Sequence, residues 1–166
     1  MPNKVWLPSQ KWLKKQQEYA KKELRAIGET KLKELIKAAA RVSGHAYQPY
    51  SRYSVGAAVL CRGGELFSSC NSEVATFGLC DCGEFSAITK AVGEGMVKKY
   101  GRKFLRVVVI ATKDKGMPCG RCRQKMLEHS DNCLVVTVNL QGKIGKITTA
   151  QMLLPDAFGP GSLGID

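Results

Sequence analysis

Three cysteines and one glutamate stand at spacings that could do chemistry: Cys82-Gly83-Glu84, and thirty-odd residues later Pro118-Cys119-Gly120-Arg121-Cys122. Either segment alone is weak, since a single Cys-x-x-Cys also suits a structural zinc knuckle or a redox pair. Together they are specific. Three thiolates fill three corners of a zinc tetrahedron and leave the fourth to water. A carboxylate two residues from one ligand can take that water's proton without itself coordinating. The expected metal ligands are therefore Cys82, Cys119 and Cys122, with Glu84 as the catalytic acid and base. A structural site would need a fourth protein ligand, and Cys80 is the candidate for it.

Such a site needs two helices that begin close together. From Cys82 to Val92 the pattern is helical, with Phe85, Ile88 and Val92 on one face, and Gly120 to His129 forms another helix opened by Pro118. Thiolates at helix amino termini meet unpaired N–H groups and the positive end of the helix dipole. Between them Leu105 to Ala111 is a β-branched run suited to a strand covered on both sides. Tyr53 to Leu60 and Glu65 to Ser69 read as two strands joined at Gly63-Gly64, and Cys133 to Asn139 as another. After the Gln141-Gly142 turn a short fifth strand is expected, then a helical segment at Thr149 to Leu153. Upstream, Gln10 to Ile27 is a helix ended by Gly28, and a second helix is capped by Thr30, with Leu32, Leu35, Ile36 and Ala39 facing the core. The pattern is α/β, a sheet between helical layers.

The 166 residues fit one domain with a short appendage. Residues 1–28 are expected to be a basic helical extension and 29–166 the catalytic domain. No apolar run approaches a membrane span, and no signal-like core follows the first residues, which implies an unexported protein. Seven cysteines, an odd number without a regular framework, suit a reducing, cytoplasmic compartment better than a disulfide scaffold. The net charge of +12 excludes an acidic or neutral surface and makes anions natural partners. More than half of the excess lies in the first forty-one residues, from Lys4 to Arg41. A contact with nucleic acid through this extension stands beside the plainer reading of a solvated helix face. His45 and His129 fall outside the motif and read as turn or surface residues.

With these residues in place, the chain resembles the cytidine deaminase family, in its small homotetrameric branch. Members carry Cys-Ala-Glu followed by Pro-Cys-x-x-Cys-Arg-Gln, and here those segments are Cys82-Gly83-Glu84 and Pro118-Cys119-Gly120-Arg121-Cys122-Arg123-Gln124. The likeness extends over Pro49 to Leu60, Ala91 to Gly95 and Leu153 to Phe158. It implies a three-layer α-β-α sandwich around a mixed five-stranded sheet, a bound zinc ion and hydrolytic replacement of a pyrimidine amine by oxygen. It also implies that Asn71 and Glu73 hold ribose hydroxyls, that the backbone of Gly83 meets the base carbonyl, and that Tyr53 and Phe158 pack around the nucleoside. A homotetramer, with sites completed across subunits, belongs to the same expectation.

The chain departs from the branch at Phe85, where an arginine commonly follows the glutamate and offsets the thiolates' excess charge. Arg121 or Arg123 is expected to replace it. Val74 and Met117 also differ from the family's usual residues. Alternatives within the same chemistry are a polynucleotide cytosine deaminase and a blasticidin-type aminonucleoside deaminase. Outside it stands a zinc-stabilised RNA-binding protein on the same fold.

Overall fold

The computed structural model describes residues 7–165, so the first six residues, Lys4 among them, and Asp166 lie outside it. Helix α1 spans Gln10–Ser43 and strands β1 (Val55–Cys61) and β2 (Leu66–Cys70) follow it. Next come α2 (Gly83–Gly93), α3 (Met96–Tyr100), β3 (Leu105–Thr112), α4 (Gly120–Glu128), β4 (Leu134–Val138), β5 (Ile144–Thr149) and α5 (Ala150–Leu153). The strands form one mixed sheet in the order β2-β1-β3-β4-β5, parallel only between β3 and β4. The fold expected from the sequence is the one observed. Helix α3 was not legible in the pattern, being a single turn and a half between Gly95 and Gly101.

Strand periodicity divides the core between two faces. On β1, Ala58 and Leu60 face α1, joined by Val107 and Val109 of β3 and Leu134, Val136 and Val138 of β4. Ala57 and Val59 face the other way with Val108, Ile110 and Val135, and meet Ala87, Ile88 and Ala91 of α2 and Cys122 and Met126 of α4. The run Leu105–Thr112 is buried almost throughout because helices cover both its sides. Gly56 lets α1 approach β1 closely: a β-carbon there would lie 2.0 Å from the Ala39 carbonyl oxygen and 2.7 Å from the Ser43 nitrogen.

The span Gln10–Ser43 is two helices meeting at Gly28, whose φ of 73° and ψ of 160° are non-helical and end the first of them, as the sequence implied. Two local details are corrected. Thr30 makes no capping hydrogen bond among the described residues, because the helix has already resumed around it. Strand β1 also begins at Val55 and not at Tyr53. There the Asn71 side chain accepts from the Val55 N–H at 2.8 Å and donates to the Tyr53 carbonyl at 2.9 Å, standing in for a strand partner.

The first half of α1 is docked on the rest of the chain. Gln16, 4% exposed, accepts at Oε1 from Asn132 Nδ2 and Thr149 Oγ1 at 2.8 and 2.9 Å and donates to Gln151 Oε1 at 2.8 Å. Tyr19 donates its hydroxyl to the Asn132 carbonyl, and Glu23 pairs with Arg106 at 2.9 Å. Ala20 and Ile27 complete the contact within the α1-side core. His129 is likewise no surface residue. It is buried at the end of α4, 5.0 Å between ring centres from Phe104, with Nδ1 3.3 Å from the Arg102 carbonyl oxygen.

Replacing Gln16→Ala strands the Asn132 amide and Thr149 hydroxyl and should lower unfolding stability by about 1–3 kcal/mol in a urea titration. Burial, and then the charge of Lys125, hold His129 below its ordinary 6.5. The native state therefore binds fewer protons than the unfolded chain just below pH 6.5, so stability is lost as pH falls through that window. His129→Gln should make the acid limb of the stability profile shallower.

Candidate active site

Both metal-bearing segments sit at helix starts on one side of the sheet. Cys82 is the residue preceding α2 and Cys119 the residue preceding α4, each with extended backbone (φ −73° and −67°), while Cys122 lies one turn inside α4. Neither N-cap cysteine uses its sulfur to bond the helix end, so both sulfurs are free to face each other. Cys82 and Cys119 Sγ are 3.5 Å apart, and all three sulfurs lie within 4.8 Å of one another. A tetrahedral zinc with Zn–S bonds of about 2.3 Å needs sulfurs roughly 3.8 Å apart. The trio fits that ion. Donation from Cys122, with smaller help from Cys119 and Arg121, draws the Cys82 thiol down to about 6, while Cys122 is pushed up as the partner that keeps the proton. Cys80 is turned elsewhere, its sulfur 3.3 Å from the Val74 nitrogen and 3.4 Å from the Val74 oxygen. Among the described residues the cluster has three protein ligands, as an open catalytic site requires.

Glu84 stands in the first turn of α2 and is 4% exposed. Burial first, and the Cys82 charge after it, push its carboxyl up to about 7. A carboxyl near neutrality can both take and give a proton at working pH. Glu84, Cys82 and Cys119 line a cavity of about 400 Å³ whose walls include Tyr53, Asn71, Glu73 and Met117. That volume suits a small ligand of nucleoside size.

Three of the expected substrate-contacting residues thus meet at one cavity. Glu73 accepts from the Tyr50 and Ser51 N–H groups at 3.0 and 3.1 Å and from the Ser51 hydroxyl, which keep its carboxyl below the usual range. A carboxylate offers about four acceptor positions, so Glu73 retains one for a ligand hydroxyl. Asn71, besides its bonds to Val55 and Tyr53, keeps one N–H and one lone pair. Tyr53 donates to Asp114 Oδ1, and Thr112 Oγ1 donates to the same oxygen at 3.1 Å. Asp114 and Thr112 went unremarked in the sequence; Asp114 lies 61 residues from Tyr53 and carries no motif.

The other two do not line the cavity. Gly83 is buried, and its missing side chain accommodates β1: a β-carbon would sit 3.0 Å from the Val55 carbonyl oxygen. The missing side chain thus serves helix–strand packing. Phe158 is 63% exposed and belongs to a separate depression lined by Trp12, Leu127 and Pro155.

The charge question left by Phe85 has a structural answer. Arg121 lies across the Phe85 ring, its guanidinium carbon 3.8 Å from the ring centre, and donates to the Cys80 carbonyl at 2.9 Å and to Asp81 Oδ1 at 3.2 Å. Its charge contributes to the low Cys82 thiol value. Arg123 instead holds the Pro118 and Leu153 carbonyl oxygens at 2.8 and 2.9 Å. The cation is supplied from α4 in place of α2.

The family model for the cytidine and deoxycytidylate deaminase zinc-binding region matches residues 29–138. A cytidine deaminase of Halalkalibacterium halodurans is 43% identical over 126 residues, 75% of this chain and 91% of that protein. One from Sporosarcina psychrophila is 36% identical over 129 residues, 76% and 90% of the two chains. The crystal structure of cytidine deaminase from Burkholderia pseudomallei superimposes with a TM-score of 0.68 at 39% identity, covering 75% of this chain and 97% of that one. Helix starts, sulfur cluster, buried carboxyl and these likenesses agree: the chain belongs to the cytidine and deoxycytidylate deaminase family, with a zinc site of three cysteines.

Proposed function

We propose that this protein hydrolyses the ring amine of cytidine and deoxycytidine, releasing ammonia and leaving the uridine product. The observation that carries this reading is the buried Glu84 carboxyl facing, with the three-sulfur cluster, a cavity walled by Asn71, Glu73 and Tyr53. Cys82, Cys119 and Cys122 would hold the zinc ion, whose contribution when bound is Lewis-acid activation of water. Glu84 takes the proton that the attacking water gives up and delivers it to the pyrimidine ring nitrogen. It then serves the departing amine, so that one carboxyl acts as base and then as acid. The spare acceptor of Glu73 and the spare amide positions of Asn71 suit ribose hydroxyls. A wall built to pair such hydroxyls discriminates against ligands that lack them. The Gly83 backbone is assigned to the base carbonyl by the family resemblance.

A homotetramer is part of the same proposal. Phe158 is exposed, as are Tyr50, Phe77 and Leu79 beside the cavity wall, and burying such apolar surface between copies is favourable. Phe158 would then reach a nucleoside held by another copy. Residues 1–28 form an extension and 29–166 the catalytic domain, a division supported by the break at Gly28. A cytoplasmic setting is supported by seven free cysteines, and no described helix is long and apolar enough to cross a membrane. Polynucleotide deamination is disfavoured by position: Arg106, where the basic extension docks, lies near the start of β3, while the cavity lies toward its other end around Ile110 and Thr112.

Glu84→Gln should keep its zinc, assayed by metal analysis, while ammonia release from cytidine falls by about 10²–10⁴-fold. Unchanged turnover would overturn the assignment, as would deamination confined to single-stranded RNA or DNA. Arg121→Gln should weaken zinc retention by about 10–100-fold against a competing chelator. Lys125→Gln, which removes the other cation over Phe85 (4.8 Å from the ring centre), should change it little.

A further inference from the structure

The helix that docks through Gln16 presents a very different opposite face. Lys11, Lys14, Lys15, Lys21, Lys22 and Arg25 are all exposed, and none of them is in a salt bridge among the described residues. Their spacing is that of one helix face: at about 100° per residue the six fall within an arc of roughly 120°. Gln16, Ala20 and Ile27 occupy the opposite arc, against the core. Glu18 is the only acidic residue on the basic face, because Glu23 is turned inward onto Arg106. From Lys11 to Arg25 the stripe runs about 21 Å at 1.5 Å per residue.

We propose that this face binds the phosphate backbone of nucleic acid, without reading its sequence, as a tether separate from the catalytic cavity. Three features select that partner. Five of the six cations are lysines, which engage phosphate as point charges and are depleted from protein–protein interfaces. No aromatic or apolar anchor stands among them, and such anchors carry most of the energy where one protein docks on another. An amphipathic helix that binds a membrane inserts its apolar face, but here that face is already buried against the sheet. The absence of stacking side chains in the stripe also means that bases are not read, leaving a contact governed by counterion release. Since the extension docks near the start of β3 at Arg106 and the cavity lies near its end at Ile110 and Thr112, the two are separated by about 13–20 Å along the strand, at about 3.3 Å per residue. The bound strand is not the substrate.

The test uses the full-length protein with fluorescently labelled single-stranded RNA 12-mers of two unrelated sequences, titrated from low to moderate NaCl. Both should bind equally, with log K falling against log salt at a slope of about −4 if all six cations engage. In a variant carrying Lys14→Gln, Lys15→Gln, Lys21→Gln and Lys22→Gln the slope should shrink to about −1 to −2 and low-salt affinity should fall at least tenfold. Its cytidine turnover should stay unchanged, and bound RNA should not inhibit turnover in the wild type. Undiminished binding by the quadruple variant would overturn the inference, as would binding to phosphatidylserine vesicles or an acidic peptide in preference to RNA. Competition between RNA and cytidine would overturn the separation of the two sites. Turnover is measured in its own arm, so a failure of RNA binding leaves the deaminase reading standing, and the converse holds.

Discussion

Sulfur atoms from Cys82, Cys119 and Cys122 meet because two helices start side by side at the same end of the sheet. Everything at the site follows from that coincidence of helix starts. Each amino terminus contributes unpaired N–H groups and positive potential beside the sulfurs. The same placement sets Glu84 in the first turn of α2, deep enough that burial keeps its proton available near neutrality. Strands β1 and β3 make the arrangement rigid, since α2 and α4 pack on their shared face through Ala87, Ile88, Cys122 and Met126.

The zinc site also shows how charge can be conserved while its address changes. With Phe85 after Glu84, α2 brings no guanidinium to the sulfur cluster. Arg121 comes instead from the first turn of α4, between Cys119 and Cys122, and the phenylalanine ring becomes the platform on which it rests. Asp81 and the Cys80 carbonyl hold its other side, so the cation has a fixed position and not merely a nearby one. A planar guanidinium suits this role better than an ammonium group, because it can stack and donate hydrogen bonds together.

Motif spacing made the clustering of Cys82, Cys119 and Cys122 beside Glu84 legible, because these residue types are rare at such spacing and the helix-start signals around Pro118 and Gly83 are local. The layered sheet was legible for a similar reason: past Arg106, Val107 to Ala111 is an unbroken apolar, β-branched run of the kind a covered strand carries. What escaped depended on distance along the chain. Asp114 orients Tyr53 through a contact that no periodicity announces, and His129 is buried by Phe104, which its own neighbours do not reveal. The packing need at Gly83 escaped too, because the strand that fills its space lies almost thirty residues upstream. The docking of the extension depended on Gln16, a polar residue in a helix whose burial only tertiary partners could justify.

The close approach at Gly56 has a consequence for how this chain can vary. Its missing side chain is filled by the backbone of α1 at Ala39 and Ser43, so even one methyl group would push helix and strand apart. Val55, the next residue, abuts both Gly83 and Asn71, and a displaced strand would carry those neighbours with it. Drift can rewrite the solvent side of α1 at little cost to the scaffold, whereas a single carbon atom at position 56 would be a lesion transmitted to the heart of the enzyme.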